Sequence, residues 1–267
     1  MVPDVLRGFS GEVAEYYARF RRGYPPLVVD ALTDALSLDR TDMAIDLGCG
    51  TGQLTLPLAD RVRVVIGVDP EPDMLRLAAA AARKQDVRSV AWMLGFDSDL
   101  PVLADLLGPG SVAAVTAATS IHWMDHVALF AAARPLLRSG GGVAVVTNGT
   151  PLWLQDDDWS RRLRGVLREW TGRDVGWACG TDEVARAAYR DAMSTAGYAT
   201  SEVRVDYDAE LDIEEIVGSL LSAMSADDVA DPARRARFAD RVRAALTPDT
   251  RFEERVSVVV QMGTVRG

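Results

Sequence analysis

The chain has 267 residues, 48% hydrophobic and 25% charged, which is long and apolar enough for a sizeable core and argues against a largely disordered protein. Its formal net charge is −10, from 29 Lys and Arg against 39 Asp and Glu. A surface of that sign opposes a phosphate backbone, so small molecules rather than nucleic acids are the expected partners.

Asp4, Arg7, Glu12 and Glu15 stand where a secretory leader would need an apolar stretch, and the two cysteines, Cys49 and Cys179, give no disulfide framework. No apolar run approaches the roughly 18 residues of a membrane span. A cytoplasmic protein with no membrane attachment is expected. Residues 1–40 read as an N-terminal segment, and from about Met43 to Thr150 strands alternate with helices. The strand candidates are Met43 to Leu47, Arg63 to Val68, Ser89 to Leu94, Val112 to Thr119 and Gly142 to Asn148, with helices such as Pro72 to Lys84 and His126 to Leu137 between them. This βαβ series predicts a parallel sheet covered on both faces, with ligands beyond the carboxyl ends of the strands. After Thr150, helices are expected at Gln155 to Thr171, Thr181 to Ala196, Ile213 to Met224 and Pro232 to Leu246, and strands at Ser201 to Tyr207 and Phe252 to Met262.

The first strand ends in Asp46-Leu47-Gly48-Cys49-Gly50-Thr51-Gly52, and the second ends in Asp69. A glycine turn lets backbone approach a ligand, and an acidic residue closing the next strand can bind a ribose. Asp46 would repel a pyrophosphate but suits a ligand bearing an ammonium group. S-adenosylmethionine (SAM) has that ammonium, a ribose and no phosphate.

At these residues the chain resembles the class I SAM-dependent methyltransferases, whose first motif matches Asp46 to Gly52. The resemblance implies a Rossmann-like α/β fold: a seven-stranded, mostly parallel sheet with the last strand antiparallel, helices on both faces and a helical cap. The corresponding division is 1–40 as a helical segment contributing to the site, 41–150 as the SAM-binding core, and 151–267 as cap helices and the last two strands. Cofactor contacts are then expected from Asp46, Gly48, Cys49, Gly50, Gly52, Asp69, Pro70 and Thr119. Met74 is expected either on the adenine or in the core. Gly95 to Pro101 looks like the family's segment G-D-A-E-D-L-P, but carries Phe96 where an aspartate is common and Asp97 one place later, leaving the adenine contact open between them.

Ser120-Ile121-His122-Trp123 and Tyr16 to Pro25 look like a small-molecule branch similar to trans-aconitate methyltransferases, which usually has proline at the position of Arg22. His122 is the expected base or substrate-orienting group, with Trp123 beside it, whereas His126 reads as solvent-facing. Tyr17 and Arg21 could close over a carboxylate of cofactor or substrate. Trp153, Trp159, Trp170 and Trp177 crowd into the expected cap and could line a substrate pocket, Trp153 first among them, or pack the cap against the sheet.

The expected activity is methyl transfer to a small organic molecule, at oxygen ahead of nitrogen or carbon, with no metal. The absence of an Asp/Asn-Pro-Pro-Tyr/Phe tetrapeptide argues against methylation of an exocyclic amino group on a base. Two alternatives stand beside it. An NAD-dependent oxidoreductase is disfavoured by Asp46 and by Gln53 in place of the last dinucleotide glycine, and a non-catalytic SAM-binding protein is the other.

Overall fold

A computed structural model describes residues 8–176 and 178–265, without the side chains of residues 227 and 228. In chain order the elements are α1 (Glu12–Phe20), α2 (Pro26–Ala35), β1 (Met43–Leu47), α3 (Thr55–Ala59), β2 (Val64–Asp69), α4 (Pro72–Lys84), β3 (Val90–Leu94), α5 (Leu100–Leu107), β4 (Val112–Ala118), α6 (His126–Ala133), β5 (Leu137–Asn148), α7 (Asp158–Thr171), α8 (Glu183–Thr195), β6 (Ala199–Asp212), α9 (Ile213–Leu221), α10 (Ala226–Val229), α11 (Pro232–Leu246) and β7 (Arg251–Thr264). The chain folds into two compact units. A sheet unit comprises Arg22–Asn148, Gly180–Val205 and Val258–Gly267; a helical unit comprises Met1–Arg21, Gly149–Cys179 and Asp206–Ser257.

The seven strands run in the order β3-β2-β1-β4-β5-β7-β6. β1 pairs parallel with β2 (Met43 opposite Val64) and with β4 (Ala44 opposite Ala114), β5 pairs parallel with β4, and β7 pairs antiparallel with β5, Asn148 opposite Val258. This is the Rossmann-like α/β architecture expected from the sequence. The strand order reverses between β1 and β4, and the crevice beyond their carboxyl ends is where such sheets bind ligands.

The strands are apolar because both faces are covered: Ala44, Ile45 and Leu47 of β1 and Val112 and Ala114 of β4 are fully buried. Ile45, Leu47 and Val112 join Phe130, Leu136 and Tyr198 in one core, and the Tyr198 hydroxyl donates to the Phe130 carbonyl at 2.9 Å. α4 starts where Glu71 accepts from Asp73 N and Pro72 fills the first turn; it ends with Arg83 and Lys84 near its negative pole. α6 is shorter than the expected His126 to Leu137. Pro135 lacks an N–H and clashes with the preceding turn, so the helix yields to a 3₁₀ turn at Arg134–Leu136 and β5 begins at once.

The helical unit has its own core, built from Trp153, Trp159, Leu163, Ile216, Phe238 and Phe252. Phe20 of α1 lies so close to α9 that a Cβ on Gly218 would fall 2.2 Å from its ring. Trp159 meets Phe252 edge-on at 5.7 Å, and Trp170 lies 5.3 Å from Phe238 with the Arg234 and Arg241 guanidinium groups over its ring. Among the described residues, no helix is long and apolar enough to cross a membrane.

Candidate functional site

The turn after β1 takes a path that needs glycine: φ is +62° at Gly48, +56° at Gly50 and +91° at Gly52. At Gly48 space is also decisive, since a Cβ there would fall 2.5 Å from Ser120 Cβ in the loop after β4. The two loops at the point of strand reversal therefore abut backbone to side chain. Trp92 of β3 lies against the same turn: a Cβ on Gly52 would be 3.3 Å from the indole, and one on Gly67 only 2.6 Å. Trp92 had no place in the sequence reading. Its signal was Gly67 inside β2, since an isolated strand glycine marks close approach of a neighbour.

Two carboxylates flank the turn from below. Asp46, 1% exposed, accepts from the Thr55 hydroxyl at 2.6 Å and the Thr116 hydroxyl at 2.7 Å. Asp69, 7% exposed, accepts from Gly50 N at 2.8 Å and Glu71 N at 2.9 Å. Burial pushes both up to about 6 against the opposing pull of these hydrogen bonds; the Asp69 charge adds to the effect on Asp46, and the Glu71 charge to that on Asp69. The same burial, together with both carboxylates, raises the Cys49 thiol well above its ordinary range. Cys49 is buried and its N–H donates to Val68 O at 3.1 Å, so it offers the site backbone rather than a nucleophile. Thr55 and Thr116, which hold Asp46 in place, were also outside the sequence reading.

Around this centre, Met74 on α4 is 3% exposed and Phe96 after β3 is 41% exposed. Pro70 is half-buried. The half-buried carboxyl of Asp97 is raised by burial and held by the backbone N–H groups of Asp97, Asp125 and Ser98. Beyond β4, Thr119 has φ +54° and shares a 3.0 Å hydrogen bond with the Tyr24 hydroxyl, while the Ser120 hydroxyl donates to Leu47 O at 2.8 Å. A 3₁₀ turn over Ile121–Trp123 carries half-buried His122, its ring 4.9 Å from that of exposed Trp123. Gly180 passes beside it: a Cβ there would sit 2.9 Å from His122 Cβ and 2.5 Å from the Tyr189 hydroxyl. His126 is half-buried rather than solvent-facing and meets the Tyr189 ring edge-on at 5.2 Å, because its position at the start of α6 turns it toward α8.

The sheet unit thus brings together Asp46, Gly48, Cys49, Gly50, Gly52, Asp69, Pro70, Met74, Phe96, Asp97, Thr119, His122 and Trp123. Tyr17, Arg21 and Trp153 belong to the helical unit. There Arg21 Nε donates to the Ser222 hydroxyl at 2.9 Å and its guanidinium lies 5.2 Å from the Tyr17 ring centre, while Trp153 is 5% exposed in the core. Trp177, Asp4 and Arg7 lie outside the described residues. Among the described residues, no group of three or more His, Cys, Asp or Glu is placed to hold a metal ion.

Residues 44–141 match the family model described as a methyltransferase domain. An uncharacterized methyltransferase of Mycobacterium tuberculosis is 34% identical over 171 residues, 64% of this chain and 61% of the relative. A candidate SAM-dependent methyltransferase of Saccharomyces cerevisiae is 29% identical over 130 residues, 48% of this chain and 43% of its own. The chain thus spans less than two thirds of the length of either relative. Among solved structures, a candidate type II methyltransferase from Anaeromyxobacter dehalogenans superposes with a TM-score of 0.59 at 24% identity, covering 92% of this chain and 98% of that one. That likeness concerns the fold. Motif and family match coincide: residues 44–141 match a methyltransferase domain, for which SAM is the cofactor.

Proposed function

We propose that the whole chain transfers the methyl group of SAM to a small organic molecule, at oxygen. The observation that carries this reading is the pair of buried carboxylates under the glycine turn. Both sit near 6 because burial leaves their charges under-compensated. A ligand offering an ammonium group and two hydroxyls supplies what they lack, whereas a pyrophosphate would add to their repulsion. Each Asp69 oxygen takes one backbone N–H, and a carboxylate oxygen has a second lone pair, so both remain able to accept a ribose hydroxyl.

In this reading Gly48, Gly50, Gly52 and Cys49 give the cofactor a backbone surface, Asp46 meets the ammonium side, and Pro70, Met74, Phe96 or Asp97 border the adenine. Thr119 completes the edge beyond β4. Tyr17 and Arg21 are proposed for a carboxylate of cofactor or acceptor, and Trp153 for an aromatic wall to the acceptor. When bound, SAM supplies an activated methyl whose carbon–sulfur bond breaks as the bond to the acceptor oxygen forms. The chain's task is to hold the acceptor in line and exclude water. His122, with Trp123 beside it, takes the proton that a hydroxyl acceptor releases; a carboxylate acceptor would leave it an orienting role only. The same reading keeps the protein in the cytoplasm, with no nucleic-acid partner.

Conversion of SAM to S-adenosylhomocysteine is the assay, run against panels of hydroxyl, carboxyl and amine acceptors. With a hydroxyl acceptor, His122→Ala is expected to slow turnover by about 10² to 10⁴ while SAM affinity holds, and the wild-type rate to rise with pH as the imidazole loses its proton. Full turnover with an unchanged pH profile in that variant would remove His122 from the reaction. SAM binding without turnover on any panel would favour the non-catalytic alternative.

A further inference from the structure

Thr119 stands at the carboxyl end of β4 in the left-handed region, φ +54°, where a β-branched side chain crowds its own backbone. Such a conformation persists only where surroundings hold it, and it concentrates at functional sites. Two contacts hold this one. The Thr119 N–H donates to Val146 O of β5 at 2.8 Å, and the Thr119 and Tyr24 hydroxyls share a hydrogen bond at 3.0 Å. Tyr24 lies in the stretch just before α2, and two residues earlier the Arg22 carbonyl faces the Asn148 amide nitrogen at 3.5 Å. The segment from Arg22 to Tyr24 is therefore a strap across the carboxyl ends of β4 and β5.

What Thr119 fixes passes directly to the glycine turn. The next residue, Ser120, donates its hydroxyl to Leu47 O at 2.8 Å, and its Cβ occupies the space that a side chain on Gly48 would need. His122 follows two residues later on the same turn. We propose that Tyr24 is a positioning residue of the cofactor site: its hydroxyl locks the left-handed Thr119 and so sets Ser120 against the first glycine of the turn. The inference rests on the reading of this edge as the SAM site. Tyr24 acts through Thr119 and does not itself touch the reacting atoms.

Calorimetric titration with S-adenosylhomocysteine, paired with thermal unfolding of the ligand-free protein, tests it on wild type, Tyr24→Phe, Thr119→Val, Thr119→Ser and the Tyr24→Phe/Thr119→Val double variant. One polar contact made useful by pre-organisation predicts that Tyr24→Phe and Thr119→Val each weaken binding about three- to tenfold. The double variant should be no weaker than either single one, because both remove the same contact. Thr119→Ser keeps the hydroxyl and should recover most of the affinity that Thr119→Val loses. Wild-type affinity in Tyr24→Phe, losses that multiply in the double variant, or losses in all variants that follow melting temperature with no rescue by serine would each overturn the proposal. Failure of the wild type itself to bind would instead defeat the SAM reading beneath it.

Discussion

The two units surround their buried acids differently. The sheet unit buries Asp46, Asp69 and Glu71 at the carboxyl ends of β1 and β2, where desolvation raises each of them. In the helical unit the acids that meet arginine are at the surface, as in the pair of Glu214 with Arg243 at 2.8 Å, and its buried acid, Glu254, accepts from the Gln155 amide at 2.8 Å. The core beside it is built of tryptophan, phenylalanine and aliphatic side chains. A fold that only needed to be stable would resemble the second arrangement. Under-compensated buried carboxylates are retained where a ligand completes them.

The sharpest way to break this contrast is to cut each unit at its own centre. Phe238 is 1% exposed, and Phe238→Ala should cost about 3 to 5 kcal/mol of stability through transfer and cavity terms. Affinity for S-adenosylhomocysteine, measured well below the melting temperature, should stay near the wild-type value. A large affinity loss in that variant would erase the division of labour. Gly48→Ala should do the reverse. Its methyl meets Ser120 at 2.5 Å on a left-handed backbone, so a stability loss of about 2 to 4 kcal/mol should accompany an affinity loss of more than tenfold. Retained affinity would mean that the turn does not face the ligand.

pH separates the buried carboxylates from the surface ion pairs without mutation. Asp46 and Asp69 titrate near 6 in the folded chain against 3.8 for the ordinary side chain, so between those values the native state holds more protons than the unfolded one. Their contribution to stability is full below about 3.8 and is lost as pH rises through 6, on the order of 3 kcal/mol for each group. Glu214 has the opposite sign: its arginine partner lowers it from 4.5, so its contribution is present above 4.5 and lost as pH falls. Ligand-free protein should gain stability from pH 8 to pH 5, while affinity for S-adenosylhomocysteine, on the proposal that an ionised Asp69 accepts from its ribose, should fall over the same range. Calorimetry and binding titrations across that range check both signs. A parallel rise of stability and affinity would contradict the assignment.

Much of the sheet unit was legible because its signals are local. Met43 to Leu47 reads as a buried strand, the three glycines after it read as a turn, and Asp69 closes the next strand; the structure brings the turn and Asp69 together at the carboxyl ends of β1 and β2. The strand order was not legible from periodicity. It depends on which βα connections return across the sheet; the family resemblance implied seven strands with the last antiparallel, and the order itself came from the structure. Residues acting from a distance in sequence were missed for the same reason: Thr116 meets Asp46 across 70 positions, and Trp92 reaches the turn only because Gly67 leaves room. Pro135 did signal the end of α6, but the apolar run through Leu137 masked it. In the helical unit, helix periodicity gave the elements, while the tryptophans could not declare whether they face a ligand or each other. The contacts of Trp159 with Phe252 and Trp170 with Phe238 depend on tertiary packing that no local pattern encodes.

The central claim is that Asp69 and the glycine turn form a SAM site rather than a dinucleotide site. Titration of wild type and Asp69→Ala with S-adenosylhomocysteine and with NAD near pH 7.5 tests it most directly. The account predicts that wild type binds S-adenosylhomocysteine and not NAD, and that the variant loses about 1 to 3 kcal/mol of binding free energy, the cost of leaving ribose hydroxyls without their acceptor. Equal affinity in the variant, or NAD binding as well as S-adenosylhomocysteine, would contradict it.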